Sequence, residues 1–519
     1  MEEEIKEHEK ALSKLKRARN ALLNISTLPP EVLGNIFQLN VTFKDGFDGL
    51  EEGSHNFLSV CHHWHEVALR TPGVWSFWGN TLKDWARWYR HAGTTPLDLV
   101  LSINHHDGGP FGVALRDTLQ DHADRDTIRR IHLSSGDTSL LNSIISSLTT
   151  VHEGVRSNGV ESFVLLDGSK EPMDISDFFA HHRFPKLQHL GLQRCRIASW
   201  DLLTSRTAVL TTLILHFHFH DFPPTVTTSQ LLSILSSNPA LINLALSGNA
   251  IPDDGGGVSR LRVPLRHLKE LRLDGGLQHV LGLLQRLDHP GVMDRLDITL
   301  SDCLIADIPQ TVGPYLRDHF RRRGRSRDGL VLRVSRFGGH SWALLINAGD
   351  MHGAGLSGPR VYLNRFVSVL VRLDQTPSNL VEKGALDLIA HTPRDDVVRF
   401  ESRCGLAVLE DVSAQFPNLR ELHFDAVTTP LPAIFPESKV GEGVLPFLQR
   451  IEFACHPDSD WSPLTAFLTR RASSGGRLGS VVIIYAHVCP EVKERIRSVV
   501  QEFHHVDSVE WCPFGTCPE

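Results

Sequence analysis

One spacing recurs along this sequence and limits what the chain can fold into. Leu187-Gln-His-Leu190-Gly-Leu192-Gln-Arg-Cys195-Arg-Ile197 puts apolar residues at positions 1, 4, 6 and 11 and a Cys at position 9; Leu241-Ile-Asn-Leu244-Ala-Leu246-Ser-Gly-Asn249-Ala-Ile251 repeats it with Asn at position 9. Partial copies stand at Leu210-Leu213-Leu215, Leu268-Leu271-Leu273, Leu419-Leu422-Phe424 and Leu448-Ile451-Phe453, with fainter ones around Ile131, Phe163, Leu296 and Val481. The central residues Leu190, Leu213, Leu244, Leu271 and Leu296 are 23, 31, 27 and 25 residues apart. Alternation of the Leu-x-Leu kind turns two side chains to one face of a strand. The Asn or Cys can satisfy backbone groups where the chain leaves that strand. Helical stretches such as Ser229–Ser236 and Leu277–Leu287 lie between the copies, so each unit reads as strand, crossover and parallel neighbour. Such units bury their apolar faces by stacking, which predicts an α/β solenoid of short parallel strands and helices over 126–511.

The first eighty residues read differently. Residues 2–23 predict an exposed helical arm (1–24), with Ile5, Leu12, Leu15 and Leu22 near a heptad spacing that would suit a short coiled coil. Pro29-Pro30 suits a first helical turn, where a missing N–H costs nothing, and Leu28, Val32, Leu33, Ile36 and Phe37 then form one apolar face. After a polar insertion, Thr42 to Asn56, a second amphipathic run places Phe57, Val60, Cys61, Trp64, Val67 and Ala68 at helical spacing. It ends at Thr71-Pro72-Gly73, just before Trp75 and Trp78.

The match LPPEVLGNIF, a variable insertion, then FLSVCHHWHEVALRTPGVWSFW, over Ile25 to Trp78, resembles the F-box family in its fungal F-box-like form. The recurring spacing downstream is similar to that of leucine-rich repeats. The first resemblance implies a small helical module (25–80) that docks on the Skp-family adaptor of a cullin-RING ubiquitin ligase. By it, Leu28, Pro29, Pro30, Glu31, Val32, Ile36, Phe37, Val60, Cys61, Trp64, Val67 and Trp75 would form the helical core or the adaptor-facing surface. The long insertion, and His62-His63 where a basic residue is usual before the Trp, depart from the family pattern. Between module and repeats, 81–125 reads as a helical and strand linker, and 512–519 as a tail. The repeat signal is least regular over 302–394. There Arg321 to Arg327 reads as an exposed loop and GLVLRV and SWALLIN as hairpin-like strands.

Charge and cysteine usage exclude several function classes. With 53 Lys+Arg against 60 Asp+Glu, the net charge of -7 gives no overall attraction to nucleic acid or acidic membranes, so neither is an expected partner. Eight scattered cysteines lack the density of a secreted disulfide framework, and MEEEIKEHEK is the reverse of a basic, then apolar, leader. A chain that is neither secreted nor membrane-spanning, cytoplasmic or nuclear, is the expectation.

Three constellations hold residue types that could carry chemistry. Gly353-Ala-Gly355-Leu-Ser-Gly358 spells G-x-G-x-x-G, but Pro359 follows it and too few residues remain for a crossover helix, so it reads as a loop. His216, His218 and His220 would share one strand face, and His504, His505, Cys512 and Cys517 cluster near the end. Neither set has a paired metal spacing such as C-x₂-C. No nucleophile elbow, H-E-x-x-H or P-loop occurs. No catalytic residue, metal or cofactor is therefore expected.

The expected function is a non-catalytic, substrate-recognition subunit of a Skp-cullin-F-box ligase, with a protein substrate that the sequence does not name. The alternative is a repeat scaffold with no link to ubiquitin. The substrate face would be the strand residues flanking each inward pair: Glu270, Arg272 and Asp274; Arg295, Asp297 and Thr299; Glu421, His423 and Asp425; Arg450, Glu452 and Ala454. Six carboxylates against three arginines predict an acidic face.

Overall fold

The computed structural model describes residues 2–22, 24–41, 44–46, 49–51, 56–78, 90–103, 128–150, 159–168, 172–181, 184–200, 203–204, 210–217, 226–252, 262–290, 293–301, 307–323, 330–337, 341–351, 363–374, 387–403, 412, 415–426, 445–455, 460–484 and 488–506. They form a mixed α/β protein whose strands are mostly parallel, in two compact units, Met1–Leu241 and Ile242–Glu519.

In the first unit α1 (Glu2–Ala21) is an exposed helix; Ile5, Leu12 and Leu15 on its seam are 52%, 52% and 70% accessible. Helix α2 (Pro30–Val41) starts at the second proline as expected. The insertion contains a short antiparallel hairpin, Lys44–Gly46 with Gly49–Glu51. The second amphipathic run is not one helix. A single 3-10 turn covers Asn56–Ser59, the chain breaks at Val60-Cys61, and α3 (His62–Leu69) begins with Cys61 as its N-cap. Pro72 then opens α4 (Pro72–Trp75).

The parallel sheet of this unit begins earlier than the repeat spacing suggested. Strand β1 (Phe77–Trp78) pairs with β2 (Leu97–Ile103), inside the segment read as a linker, and β2 pairs with β3 (Ile128–Ser135). Next in the sheet come β4 (Ser162–Asp167), β5 (His189–Gln193) and β6 (Thr212–Phe217), all parallel. Between them run α5 (Thr138–Thr150), α6 (Ser176–His181) and, after β6, α7 (Thr228–Ser237), which opens with a Thr227/Gln230 capping box. The inward residues stand in register: Leu99↔Ile131, Ile131↔Phe163, Phe163↔Leu190 and Leu190↔Leu213 are paired, and each is at most 3% exposed. Phe163 is also ringed by Phe178, Phe179 and Phe184 at centroid distances of 5.0 to 6.3 Å, which fixes α6 against the sheet.

The second unit opens with β7 (Asn243–Gly248), then β8 (Glu270–Gly276), α8 (Leu277–Arg286), β9 (Arg295–Ser301) and α9 (Ile308–Arg323). Leu244, Leu271 and Leu296 are paired in register and fully buried. Arg321 to Arg323, expected in a loop, form the last turn of α9; Gly324 to Arg327 lie outside the described residues. Strands β10 (Leu330–Phe337), β11 (Ser341–Met351) and β12 (Leu363–Asp374) make an antiparallel meander, consistent with the hairpin reading of GLVLRV and SWALLIN. The meander enters the sheet in reverse order. β12 pairs with β9 and β10 pairs with β13 (Val397–Arg403), both parallel, so β11 alone among these strands runs the other way. After β13 the parallel order resumes through β14 (Glu421–Ala426), β15 (Arg450–Cys455) and β16 (Leu478–Ile484) to β17 (Val500–Val506), with α10 (Ser462–Ser473) and α11 (Pro490–Val499) as crossovers. Phe400, Leu422, Ile451 and Val481 continue the buried ladder.

The two complete copies of the spacing also end alike. Arg194 (φ 58°) and Gly248 (φ 60°) both take the left-handed conformation one residue before Cys195 and Asn249. This turns the chain off β5 and β7, and glycine takes that conformation without a Cβ penalty. The Cys195 thiol donates to the carbonyl of Gln193 at 3.2 Å. Burial, above all, raises its pKa well beyond that of a reactive thiol.

Candidate functional site

Helix α2 carries two apolar stripes. Leu33, Phe37 and Val41, at i, i+4 and i+8, are at most 1% exposed and face α3 and α4. The Phe37 ring stacks on Phe57 at 4.5 Å with 3° between planes and meets Trp64 at 5.2 Å. Glycine at position 34 lets Thr71 pack directly on α2: a Cβ there would come within 2.8 Å of Thr71 Oγ1, whose hydroxyl donates to the Val67 carbonyl. Trp75, 3% exposed, closes the module by donating from Nε1 to the Ala68 carbonyl at 2.6 Å.

Among the described residues no element of this module covers the other stripe. Val32 and Ile36 are 41% exposed and Leu39, three residues on, 74%; Val60, at the break before α3, is 55%. Adjacent helix positions are about 100° apart, so five apolar residues from Leu28 to Phe37 cannot all face one neighbour. The single face expected from spacing is thus divided: Ile36 is outside and Phe37 inside. Of the other expected residues, Val67 is buried, Leu28, Cys61 and Trp64 are half-buried, and Pro29, Pro30 and Glu31 are exposed at the start of α2. Leu39 was not among them, although its i, i+4, i+7 relation to Val32 and Ile36 was visible.

The expected substrate face forms two clusters in the second unit. On β8 and β9, Glu270 stands opposite Arg295 and Arg272 opposite Asp297. Asp297 is 2.6 Å from Arg295 and 3.4 Å from Arg272. On β13, β14 and β15, Glu421 is 3.3 Å from Arg399, His423 is 3.3 Å from Glu452, and Arg450 is 3.0 Å from Glu452. Arg399 also reaches Glu401 at 2.9 Å. Strands β10, β11 and β12 separate the clusters, four strand spacings or about 19 Å along the sheet. The described carboxylates of this face still outnumber its guanidiniums, but the two are interleaved across the strands, and Arg399 and Glu401, which the spacing argument did not include, belong to the second cluster. The face is also only partly open, since Glu270, Arg272, Asp274, Arg295, Asp297, Glu421 and His423 are all half-buried; the side chain of Asp425 lies outside the described residues.

Charge pairing shows in the titration of these groups. His423 is pushed down by burial, but the carboxylates of Glu421 and Glu452 outweigh that and raise its pKa. Glu452 is pushed up by burial and, more strongly in sum, down by His423 and Arg450, to about 2.

Of the metal candidates, His216 lies on β6 while His218 and His220 fall outside the described residues, as do Cys512, Cys517 and the Gly353–Gly358 loop. Among the described residues no group of His, Cys, Asp and Glu is placed to hold a metal ion, and no helix is long and apolar enough to cross a membrane. No protein-family model matches the chain, and neither does any curated protein sequence.

Proposed function

We propose that this chain is a substrate-recognition subunit of a Skp-cullin-F-box ubiquitin ligase: an F-box-like module at 25–78 docks the adaptor, and an irregular leucine-rich-repeat-like solenoid holds the protein substrate. The observation that carries the reading is the division of α2. A small module that buries Leu33, Phe37 and Trp75 yet leaves Val32, Ile36, Leu39 and Val60 in water has both a core of its own and an apolar surface for a partner. The in-register apolar rows support the repeat half of the reading. On this reading the protein does no covalent chemistry. Catalysis comes from holding a substrate lysine near a charged conjugating enzyme, which replaces a bimolecular encounter by an effectively unimolecular one.

Affinity purification of the full chain followed by mass spectrometry tests this. Adaptor and cullin should appear with the wild-type chain and be lost with Ile36→Asp, while substrate-derived proteins stay. If adaptor and cullin are absent from the wild-type list, the ligase reading fails and a scaffold without ubiquitin takes its place.

A further inference from the structure

In the second unit an open cleft of about 470 Å³ lies between α9 and the turn that leads into β13. Gly313, Arg317 and Arg321 recur every four residues and so share one face of α9. A Cβ on Gly313 would fall 2.5 Å from the ring of His391, so the missing side chain lets this imidazole rest directly on the helix. One turn on, Arg317 Nη2 donates to His391 Nδ1 at 2.8 Å. A nitrogen that accepts carries no proton, so the ring is the Nε2–H tautomer and its remaining nitrogen is a donor. Burial, and after it the charge of Arg317, lowers the pKa of His391 and keeps the ring neutral.

Arg321 and, from the opposite wall, Arg394 complete the cationic lining. Asp395 and Asp396 share the rim, yet among the described residues neither pairs with Arg317, Arg321 or Arg394; Asp318, on α9, is bound by Arg322 at 2.7 Å. The field of the helix C-terminus would account for Arg321 in the last turn of α9 but not for Arg317 or for Arg394 on another segment. The cleft thus offers the guanidiniums of Arg321 and Arg394, the Nε2–H of His391 and the donors that Arg317 does not use on His391, beside an apolar wall of Phe320 and Pro393, with Asp395 and Asp396 on its rim.

We propose that this cleft binds a phosphoryl dianion carried on a small organic group. Guanidinium forks match phosphate oxygens in pairs, and charge-assisted bonds of this kind are the strong ones. The volume is within the range of about 300 to 1,000 Å³ usual for small-ligand sites, more than a bare phosphate fills.

The test is calorimetry on the full chain at pH 7.5 and low salt, with phenyl phosphate, inorganic phosphate and benzoate as probes. Phenyl phosphate should bind one to one, inorganic phosphate at least tenfold more weakly, and benzoate more weakly still. Arg317→Gln with Arg321→Gln should reduce phenyl phosphate affinity at least tenfold. Arg394→Gln, an exposed change on the other wall that leaves α9 intact, should reduce it severalfold with an unchanged melting curve. Absence of binding, or undiminished binding by a folded Arg394→Gln chain, overturns the site. Equal affinity for benzoate overturns the phosphoryl assignment, and equal affinity for inorganic phosphate overturns the organic part.

Discussion

Neighbouring residues Ile36 and Phe37 should respond to truncation in opposite ways. Phe37 is 1% exposed, stacked at 4.5 Å on Phe57 and tilted at 5.2 Å against Trp64, so Phe37→Ala removes a ring from the centre of the helical module. Buried Phe→Ala changes cost about 3 to 5 kcal/mol, and the stacked geometry places this one toward the upper end. Ile36 is 41% exposed, and truncation of so exposed a side chain should cost less than about 1 kcal/mol. Hydrogen exchange by mass spectrometry on the full chain reads α2 and α3 directly. At tenfold per 1.4 kcal/mol, Phe37→Ala should accelerate exchange of the slow amides in 30–41 and 62–69 by roughly 150-fold or more, and Ile36→Ala by less than about sixfold. Equal acceleration by the two, or none by Phe37→Ala, would refute the division of α2 into an inner and an outer stripe.

Three further outcomes follow from buried charge and backbone geometry. The folded-state pKa of His423 is raised, so its contribution to stability is complete below the unfolded value of about 6.5 and lost as pH climbs through the folded value. The groups around it are Glu421, Glu452, Arg399, Glu401 and Arg450, so His423→Gln should widen the urea-midpoint gap from wild type at pH 6 and narrow it by pH 9; a constant gap would contradict this. Asp98, 2% exposed, is held by Arg129 through bonds of 3.0 and 2.6 Å, and Asp98→Asn should cost about 2 kcal/mol in urea unfolding. That is less than the 3 to 5 kcal/mol typical (roughly) of breaking a fully buried pair, since the Arg129 side chain is 33% exposed; a loss under about 0.5 kcal/mol would count against it. Gly248→Ala should lower stability by about 1 kcal/mol because a Cβ strains the left-handed turn after β7, and an unchanged midpoint would argue against that geometry.

How far the sequence could be read depended on whether a feature is local. The parallel rows were legible because each strand carries its inward pair two residues apart and announces its end with a turn residue, as Leu190-Leu192-Cys195 and Leu244-Leu246-Asn249 do. Leu99 in LDLVLSI belongs to the same ladder, and Asn104 stands three residues beyond its second inward residue, Leu101, but Pro96 and His106 occupy the outer positions that are Leu or Ile in the complete copies, so β2 read as part of a linker. The reversed entry of β10 to β12 was not legible, because local alternation fixes a strand's faces but not which distant strand it pairs with. The same limit hid Arg399, whose partner Glu421 lies 22 residues away on β14, and with it Glu401, which pairs with Arg399. The Gly313–Arg317–His391 contact escaped because it joins a helix to a turn more than 70 residues later, with only a glycine to mark the approach.

The central claim is that the outer stripe of α2 binds a Skp-family adaptor, and calorimetry of the full chain with a purified adaptor measures it most directly. The account predicts a one-to-one complex of micromolar affinity or tighter. Val32→Asp with Ile36→Asp should weaken it at least about thirtyfold, since apolar anchors at such interfaces carry 2 kcal/mol or more (roughly), without altering exchange in α3. Absence of a complex with the folded wild-type chain, or an affinity that the double variant leaves unchanged, would contradict it.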